Sequence, residues 1–254
     1  GEKPTIKSNK TIEIDGNHNY ISFENVAFIN TGSTYLINEG NTSSLETLSF
    51  TDCTFDDYSR SIIRLKDNAS ISIDNLIIDN CVITNQGSDN YACFYWNNAA
   101  YSIANFIMSN TTVNTALHNV MDFRSSNTTN IEIENCTFYN SMDAKKELPK
   151  VFRFDNAAST PPSPKSATMR NLIFSGPNKG KKMNSGNGAY DILNFSDNCY
   201  ITSDLQEGNN RFEEITRIKQ SSDDLFVDPL NGDFHIKPGA GFAGTGNAGD
   251  PRWY

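Results

Sequence analysis

Apolar and polar residues alternate along most of this chain in short runs, and the runs repeat. In Ile131 to Asn140, written IEIENCTFYN, the residues Ile131, Ile133, Cys136 and Phe138 are apolar, and Asn135 interrupts the alternation. The same phrase recurs as FENVAF (Phe23 to Phe28), FTDCTF (Phe50 to Phe55), IDNCVI (Ile78 to Ile83), MSNTTV (Met108 to Val113) and MRNLIF (Met169 to Phe174). Its polar anchors are Asn25, Asp52, Asn80, Asn110, Asn135 and Asn171, at intervals of 27, 28, 30, 25 and 36 residues. Three places after each anchor stands an apolar residue: Phe28, Phe55, Ile83, Val113, Phe138 or Phe174. A fixed period of this length indicates a solenoid, and period-2 alternation inside each copy indicates strands.

A second phrase falls between the copies. Ile12-Glu-Ile14, Tyr35-Leu-Ile37, Ile63-Arg-Leu65, Phe94-Tyr-Trp96, Met121-Asp-Phe123, Phe152-Arg-Phe154 and Leu193-Asn-Phe195 all read in–out–in. Each repeat therefore holds a strand, a variable connection, a second strand, an Asn bend and a short third strand. Three strands per repeat fit the coil of a parallel β-helix, with about 4.8 Å between stacked coils. Asn tolerates the left-handed backbone region, and its amide can bond its neighbour in the next coil to form a ladder. The expected architecture is all-β: a single-domain right-handed parallel β-helix of about seven coils with a C-terminal hairpin and Gly-rich cap. The helix is assigned to residues 1–212 and the cap, within the same domain, to residues 213–254.

Later segments complicate this frame. From Ser141 the insertions lengthen: SMDAKKELPK (Ser141 to Lys150), NAASTPPSPKSAT (Asn156 to Thr168) and SGPNKGKKMNSGNGAY (Ser175 to Tyr190). Their Gly, Pro and Lys content makes them irregular and exposed. After Phe195 both Asn198 and Asn209 satisfy the anchor rule, so the register there stays open. Residues 213–254 leave the repeat, with FVDPLNGDFHIK (Phe226 to Lys237) reading as strand, turn at Asn231-Gly232, strand. The Gly-rich tail is expected to cover the open last coil, because an uncovered solenoid end is a sticky edge.

Charged residues make up only 20%, so Asn, Ser and Thr supply the polar surface, as suits stacked strands that would superimpose like charges. A net charge of −9 argues against nucleic acid as a partner. No apolar run is long enough to span a membrane. Cys53, Cys81 and Cys136 each follow an anchor, which places them in one inward row; a buried thiol row is favoured there over a disulfide between coils. No CxxC or His partner accompanies them, so no metal is assigned.

The repeat resembles the right-handed parallel β-helix of the pectate-lyase-like superfamily. FVDPLNGDF together with AGDPRW (Ala248 to Trp253) resembles the C-terminal signature of a family of uncharacterised secreted β-helix proteins from gut anaerobes. That resemblance implies a secreted or cell-surface protein working on polysaccharide.

Enzymes of this fold carry their chemistry on outward strand positions. The middle residues of the triplets form one stripe: Glu13, Leu36, Arg64, Tyr95, Asp122, Arg153 and Asn194. The following residues form a second: Asp15, Asn38, Lys66, Asn97, Arg124, Asp155 and Ser196. The preceding ones, Thr11, Thr34, Ile62, Cys93, Val120, Val151 and Ile192, form a largely apolar third, covered by other chain or marking a partner surface. Arg64, Lys66, Tyr95, Asp122, Arg124 and Arg153 are thus the candidate substrate-binding residues. Guanidinium forks beside an aromatic ring suit an acidic saccharide. The plainer reading is a cross-strand charge ladder, Asp122 with Arg153 and Asp155 with Arg124, worth at most ~1 kcal/mol per pair.

Enzyme signatures are incomplete. Calcium ligands of the pectate-lyase kind would need clustered carboxylates, whereas Asp122 and Asp155 alternate with Arg. Arg217-Ile-Lys219 matches one piece of a polygalacturonase site without the others, and His18, His118 and His235 form no triad. No catalytic residue and no cofactor is assigned, calcium being the one metal considered. The expectation is a monomer that recognises, and in one version processes, an acidic extracellular polysaccharide. A polysaccharide lyase and a structural or adhesin spacer without a small ligand are the alternatives.

Overall fold

The computed structural model describes residues 2–65, 71–84, 91–96, 101–116, 119–123, 127–140, 152–153, 166–176, 193–195, 198–205 and 214–254. These form a parallel β-solenoid with two long sheets and one two-stranded antiparallel sheet. Every pairing in the two long sheets is parallel, and equivalent repeat positions face each other, such as Phe106 against Leu76 and against Ile131. The all-β class expected from the repeat is what the chain adopts.

The bends are set by the anchors. Asn25, Asp52, Asn80, Asn110, Asn135 and Asn171 all take positive φ, between 49° and 55°. Asn and Asp accept this left-handed conformation more readily than other non-Gly residues. After Phe195 the bend is at Asn198, φ 60°, which turns Cys199 into the core; Asn209 lies outside the described residues. Each bend leads into a short strand of the narrow sheet, such as Thr54–Asp56, Thr112–Asn114 or Thr137–Tyr139. The count of coils departs from the seven expected. Among the described residues the narrow sheet has nine strands, because Thr5–Ser8 adds a rung before the first anchor, and Tyr200–Ile201 and Thr216–Arg217 add two after the last.

The interior is a column of stacked side chains. Phe28 lies on Phe55 with centroids 5.2 Å apart, Phe138 on Phe174 at 5.1 Å, and Trp96 on Phe123 at 3.9 Å. Rows of this kind give each coil its core only through its neighbours. Burying each such aromatic is worth about 1.5–3 kcal/mol, with about 0.5–1.5 kcal/mol more from ring–ring geometry.

The wide sheet contains the first and second strands of every repeat. In the first two coils they are continuous, as Ile12–Glu24 and Ile37–Thr51; later they separate, as Ile63–Leu65 and Ile71–Asp79. Within Ile71–Asp79 the alternation slips by one at Asp74 and Asn75, since Ile73 and Leu76 are both buried. The wide sheet turns a corner there, and a second Asn ladder follows it. Asn105 Nδ2 donates to Asn75 Oδ1 at 3.0 Å, Asn130 Nδ2 to Asn105 Oδ1 at 3.0 Å, and Ser166 Oγ to Asn130 Oδ1 at 3.0 Å.

Three sequence assignments change. Leu36 is not a stripe residue: Ile12 pairs with Ile37, so Glu13 faces Asn38, and Leu36 is buried. Leu193–Phe195 stacks on Ala167–Met169, in the second-strand ladder, so Asn194 is not in the stripe either. Both triplets have the right alternation, but alternation cannot say which strand a triplet stacks on. The third stripe is interior: Ile62, Cys93 and Val120 are fully buried, with the Tyr58 hydroxyl 3.1 Å from Cys93 Sγ.

The C-terminal segment forms a second core. Tyr139, Ile173 and Tyr200 point outward from the narrow sheet and are covered by Leu225, Phe226, Phe234, Phe242 and Ala248. A capping box of Ser221 and Asp224 starts the short helix Ser222–Leu225. Phe226–Asp228 and Asp233–Ile236 pair antiparallel around a turn that closes at Gly232, φ 86°. The contacts of this segment run along the outer face of the narrow sheet, from Tyr200 back to Asn80, where the sequence reading expected a cover over the last coil. Hydroxyl-bearing Thr112 and Thr137 on that face bind the tail, which is why it folds back.

Candidate functional site

The middle positions of the first-strand ladder come together as expected from Arg64 onward. Asn38 pairs with Arg64, Arg64 with Tyr95, Tyr95 with Asp122, and Asp122 with Arg153. Tyr95 sits between the inward Phe94 and Trp96 of its strand, which is why its side chain takes the opposite face. Lys66 and Arg124 lie outside the described residues, and Arg153 is placed here by its backbone register alone.

The structure adds three residues to this stripe. The Arg64 guanidinium carbon lies 4.5 Å from the Tyr35 ring centroid, 5.3 Å from Tyr91 and 5.2 Å from Tyr95. Arg60 approaches two of the same rings, at 5.3 Å from Tyr35 and 5.1 Å from Tyr91, and its Nη1 donates to the Tyr35 hydroxyl at 3.3 Å. Tyr91 packs edge-on against both Tyr35 and Tyr95. Two guanidinium groups thus share a cage of three tyrosines. The π faces stabilise positive charge by about 0.5–2 kcal/mol per contact and tolerate guanidinium because it is weakly hydrated. The cage is compact: Arg64 and Tyr35 are each 8% exposed, and Asp122 beside them is fully buried. Chemically it sets guanidinium groups, whose planar forks suit oxyanions, against aromatic surface.

Sequence reasoning missed Tyr35, Arg60 and Tyr91. Tyr35 has the pattern of an inward residue in the triplet Tyr35-Leu-Ile37, whose register is in fact shifted. Tyr91 belongs to QGSDNYA (Gln86 to Ala92), a segment inserted between repeat phrases that follows no periodicity. Arg60 precedes Arg64 by four residues in a non-repeating connection, so only the fold brings it back.

Other candidate groups stay apart. His18 Nε2 contacts the Asp15 carbonyl at 2.8 Å, and His235 is exposed beside Asp233 and Trp253, while His118 lies outside the described residues. Among the described residues no three His, Cys, Asp or Glu side chains gather as metal ligands, and no helix is long and apolar enough to cross a membrane. A cavity of about 170 Å³ opens at the first coil, lined by Ile12, Ile14, Ile21, Phe23 and Leu48, and represents the end of the core column.

A second polar focus lies where the tail meets the bend ladder. Asn80 donates to Asp52 Oδ1, Asn135 to Asn110 Oδ1 at 3.1 Å, and Asn171 to Asn135 Oδ1 at 2.9 Å. Between Asn80 and Asn110 the chain of amides is broken. Asn110 Nδ2 donates to Asp79 Oδ1 at 2.8 Å, and Asn80 Oδ1 accepts from Arg252 Nη2 at 2.7 Å. Arg252 Nε holds Asp250 Oδ2 at 2.6 Å, and Thr112 Oγ1 donates to the same oxygen at 2.7 Å. Burial raises the Asp250 carboxyl above the ordinary aspartate range, with Arg252 opposing that shift.

Residues 131–253 match a family described as a domain of unknown function (DUF5123). No curated protein and no solved structure matches the chain. The matched stretch takes in the last rungs together with the tail docked on them. The tyrosine cage, between Tyr35 and Tyr95, lies outside it.

Proposed function

We propose that this solenoid recognises an acidic polysaccharide through the outer face of its wide sheet, at the cage of Arg60, Arg64, Tyr35, Tyr91 and Tyr95. The supporting observation is the convergence of two guanidinium groups on three tyrosine rings in a protein of net charge −9. Arg153, which pairs in register with the buried Asp122, belongs to the same proposal, as do Lys66 and Arg124, which lie outside the described residues. A pectate-lyase-like origin and a secreted or cell-surface monomer belong to the same proposal; the parallel β-solenoid is compatible with them. Low exposure of Arg64 and Asp122 favours a second reading, in which the cage is cross-rung packing in a spacer module.

Binding of uronic-acid and sulfated glycans at low salt separates the two. On the recognition reading, affinity falls as salt rises, because exposed charge is screened within about 8–10 Å near physiological ionic strength. Arg60→Ala then weakens binding by roughly 1.5–3 kcal/mol, the range for hydrogen bonds to a charged group, while Tyr95→Ala weakens it through lost stacking. Absence of binding across the whole panel overturns the recognition reading.

A further inference from the structure

Five cysteines are buried and unbridged, and they are not equivalent. Cys53 and Cys81 each follow a bend residue, Asp52 and Asn80, and occupy the same inward position on consecutive rungs. Val82 N donates to Cys53 O at 3.0 Å, and Thr54 pairs with Val82 in register. Adjacent strands are about 4.7–4.9 Å apart. That spacing lies within the Cα separation of roughly 4.4–6.8 Å that a disulfide accepts. Each thiol also faces backbone carbonyls, Cys53 Sγ those of Phe23 and Thr51 at 3.4 Å, and Cys81 Sγ those of Phe50 at 3.5 Å and Asp79 at 3.2 Å.

No other described pair has this relation. The next rung places Thr111 in the row, with its Oγ1 accepting from Cys81 N at 3.2 Å, so Cys136 is one rung further on. Leu172 likewise separates Cys136 from Cys199, and Cys93 sits on the wide sheet against Tyr58. Two cations flank the pair. The Lys3 ammonium donates to the carbonyl of Asp52, and Arg252 Nη2 donates to the carbonyl of Cys81 at 3.3 Å.

We propose that Cys53 and Cys81 are a redox pair, closed into an inter-rung disulfide by a small peroxide, with Cys53 as nucleophile and Cys81 as resolving thiol. The adjacent Cys81 thiol and the nearby Lys3 charge draw the Cys53 thiol down to about 7, while Cys81 itself is raised by its neighbour and by burial. Burial instead pushes Cys93 up to about 12 and raises Cys136 as well. Reaction goes through the thiolate, so Cys53 is the sulfur primed to react. Both thiols are fully buried, which selects an oxidant of hydrogen peroxide's size.

In the first step the Cys53 thiolate attacks one peroxide oxygen; the O–O bond breaks, hydroxide leaves and takes up a proton as water, and Cys53 becomes a sulfenic acid. In the second, Cys81 loses its proton and attacks the Cys53 sulfur; the S–O bond breaks and a second water leaves. Two thiols and one hydrogen peroxide thus give one disulfide and two waters, the sulfurs oxidised and the peroxide oxygens reduced.

The test treats the folded full chain with hydrogen peroxide, blocks remaining thiols under denaturing conditions, and maps tryptic peptides by mass. Arg60 and Arg64 lie between the two cysteines, so trypsin separates them and a bridge is seen as a cross-linked peptide. The expected result is loss of two of the five thiols, a Cys53–Cys81 peptide lighter by two hydrogens, and reversal by dithiothreitol. Cys53→Ser and Cys81→Ser each abolish the bridge, and Cys136→Ser leaves it intact; circular dichroism of each variant confirms folding. Five blockable thiols after treatment, a bridge to another cysteine, or irreversible oxidation of Cys53 alone overturns the proposal. Glycan binding is not read in this experiment, so its outcome is independent of the polysaccharide reading.

Discussion

Removing the Arg252 side chain probes how the tail is held. The guanidinium joins a fully buried carboxylate, Asp250 at 2.6 Å, to the bend ladder at Asn80 and to the carbonyl of Asn110 at 3.1 Å. Arg252→Ala leaves Asp250 with only the Thr112 hydroxyl and one backbone N–H. Removing one partner of a buried ion pair costs about 3–5 kcal/mol. Because the Arg252 side chain is 24% exposed, water softens the loss, and about 2–4 kcal/mol at pH 7 is the expected cost. The sign of the pH dependence follows from Asp250. Its carboxyl pKa is already raised in the folded protein by burial, and without the Arg252 charge it rises further. A group whose folded pKa lies above its unfolded value, about 3.9 for Asp, binds its proton more tightly when folded. Stability is therefore retained below the unfolded pKa and lost as pH rises through the folded one. The cost of Arg252→Ala should shrink from pH 7 toward pH 4, and Asp250→Asn in the same background should abolish that dependence. Urea unfolding at several pH values gives the free energies, and Trp253, whose Nε1 donates to Thr112 at 2.8 Å, reports tail detachment by fluorescence. A cost below about 1 kcal/mol at pH 7, the level of an exposed pair, or one independent of pH, refutes the reasoning.

Two further substitutions test the bend ladder and the tail's seat. Asn110→Ala removes the bonds to Asp79 and from Asn135 and leaves Ala at φ 49°; unfolding should cost about 2–4 kcal/mol, measured as the shift of the urea midpoint. Gly249 has φ 86°, and a Cβ there would stand 2.7 Å from Thr137 Oγ1 and 2.9 Å from Ile173 Cδ1. Gly249→Ala should detach the tail, making residues after Gly239 susceptible to limited proteolysis while the far-ultraviolet spectrum of the solenoid is retained.

The repeat was legible because a solenoid writes its structure locally. Period-2 alternation chooses the inward residues, and Asn or Asp at a fixed interval marks the bend, so both could be read before any contact was known. Positive φ at all six anchors follows from that chemistry. The second ladder, Asn75, Asn105 and Asn130, carried an equally local signal: each stands five residues before its anchor. Stacking partners were not written this way. Leu193–Phe195 satisfies the triplet rule yet stacks on Ala167–Met169, because alternation fixes which face a residue takes and not which strand lies beneath it. Nor could the sequence place what approaches from outside the repeat. Tyr91 and Arg60 reach Arg64 from connections of irregular length, and Arg252 crosses more than 140 residues of chain to meet Asn80 and Asn110. Sequence alone determined the strands and the bends, since each depends on residues a few positions apart. Tertiary structure alone decided the tyrosine cage and the docking of the tail, since both are contacts between segments whose separation in the chain follows no period.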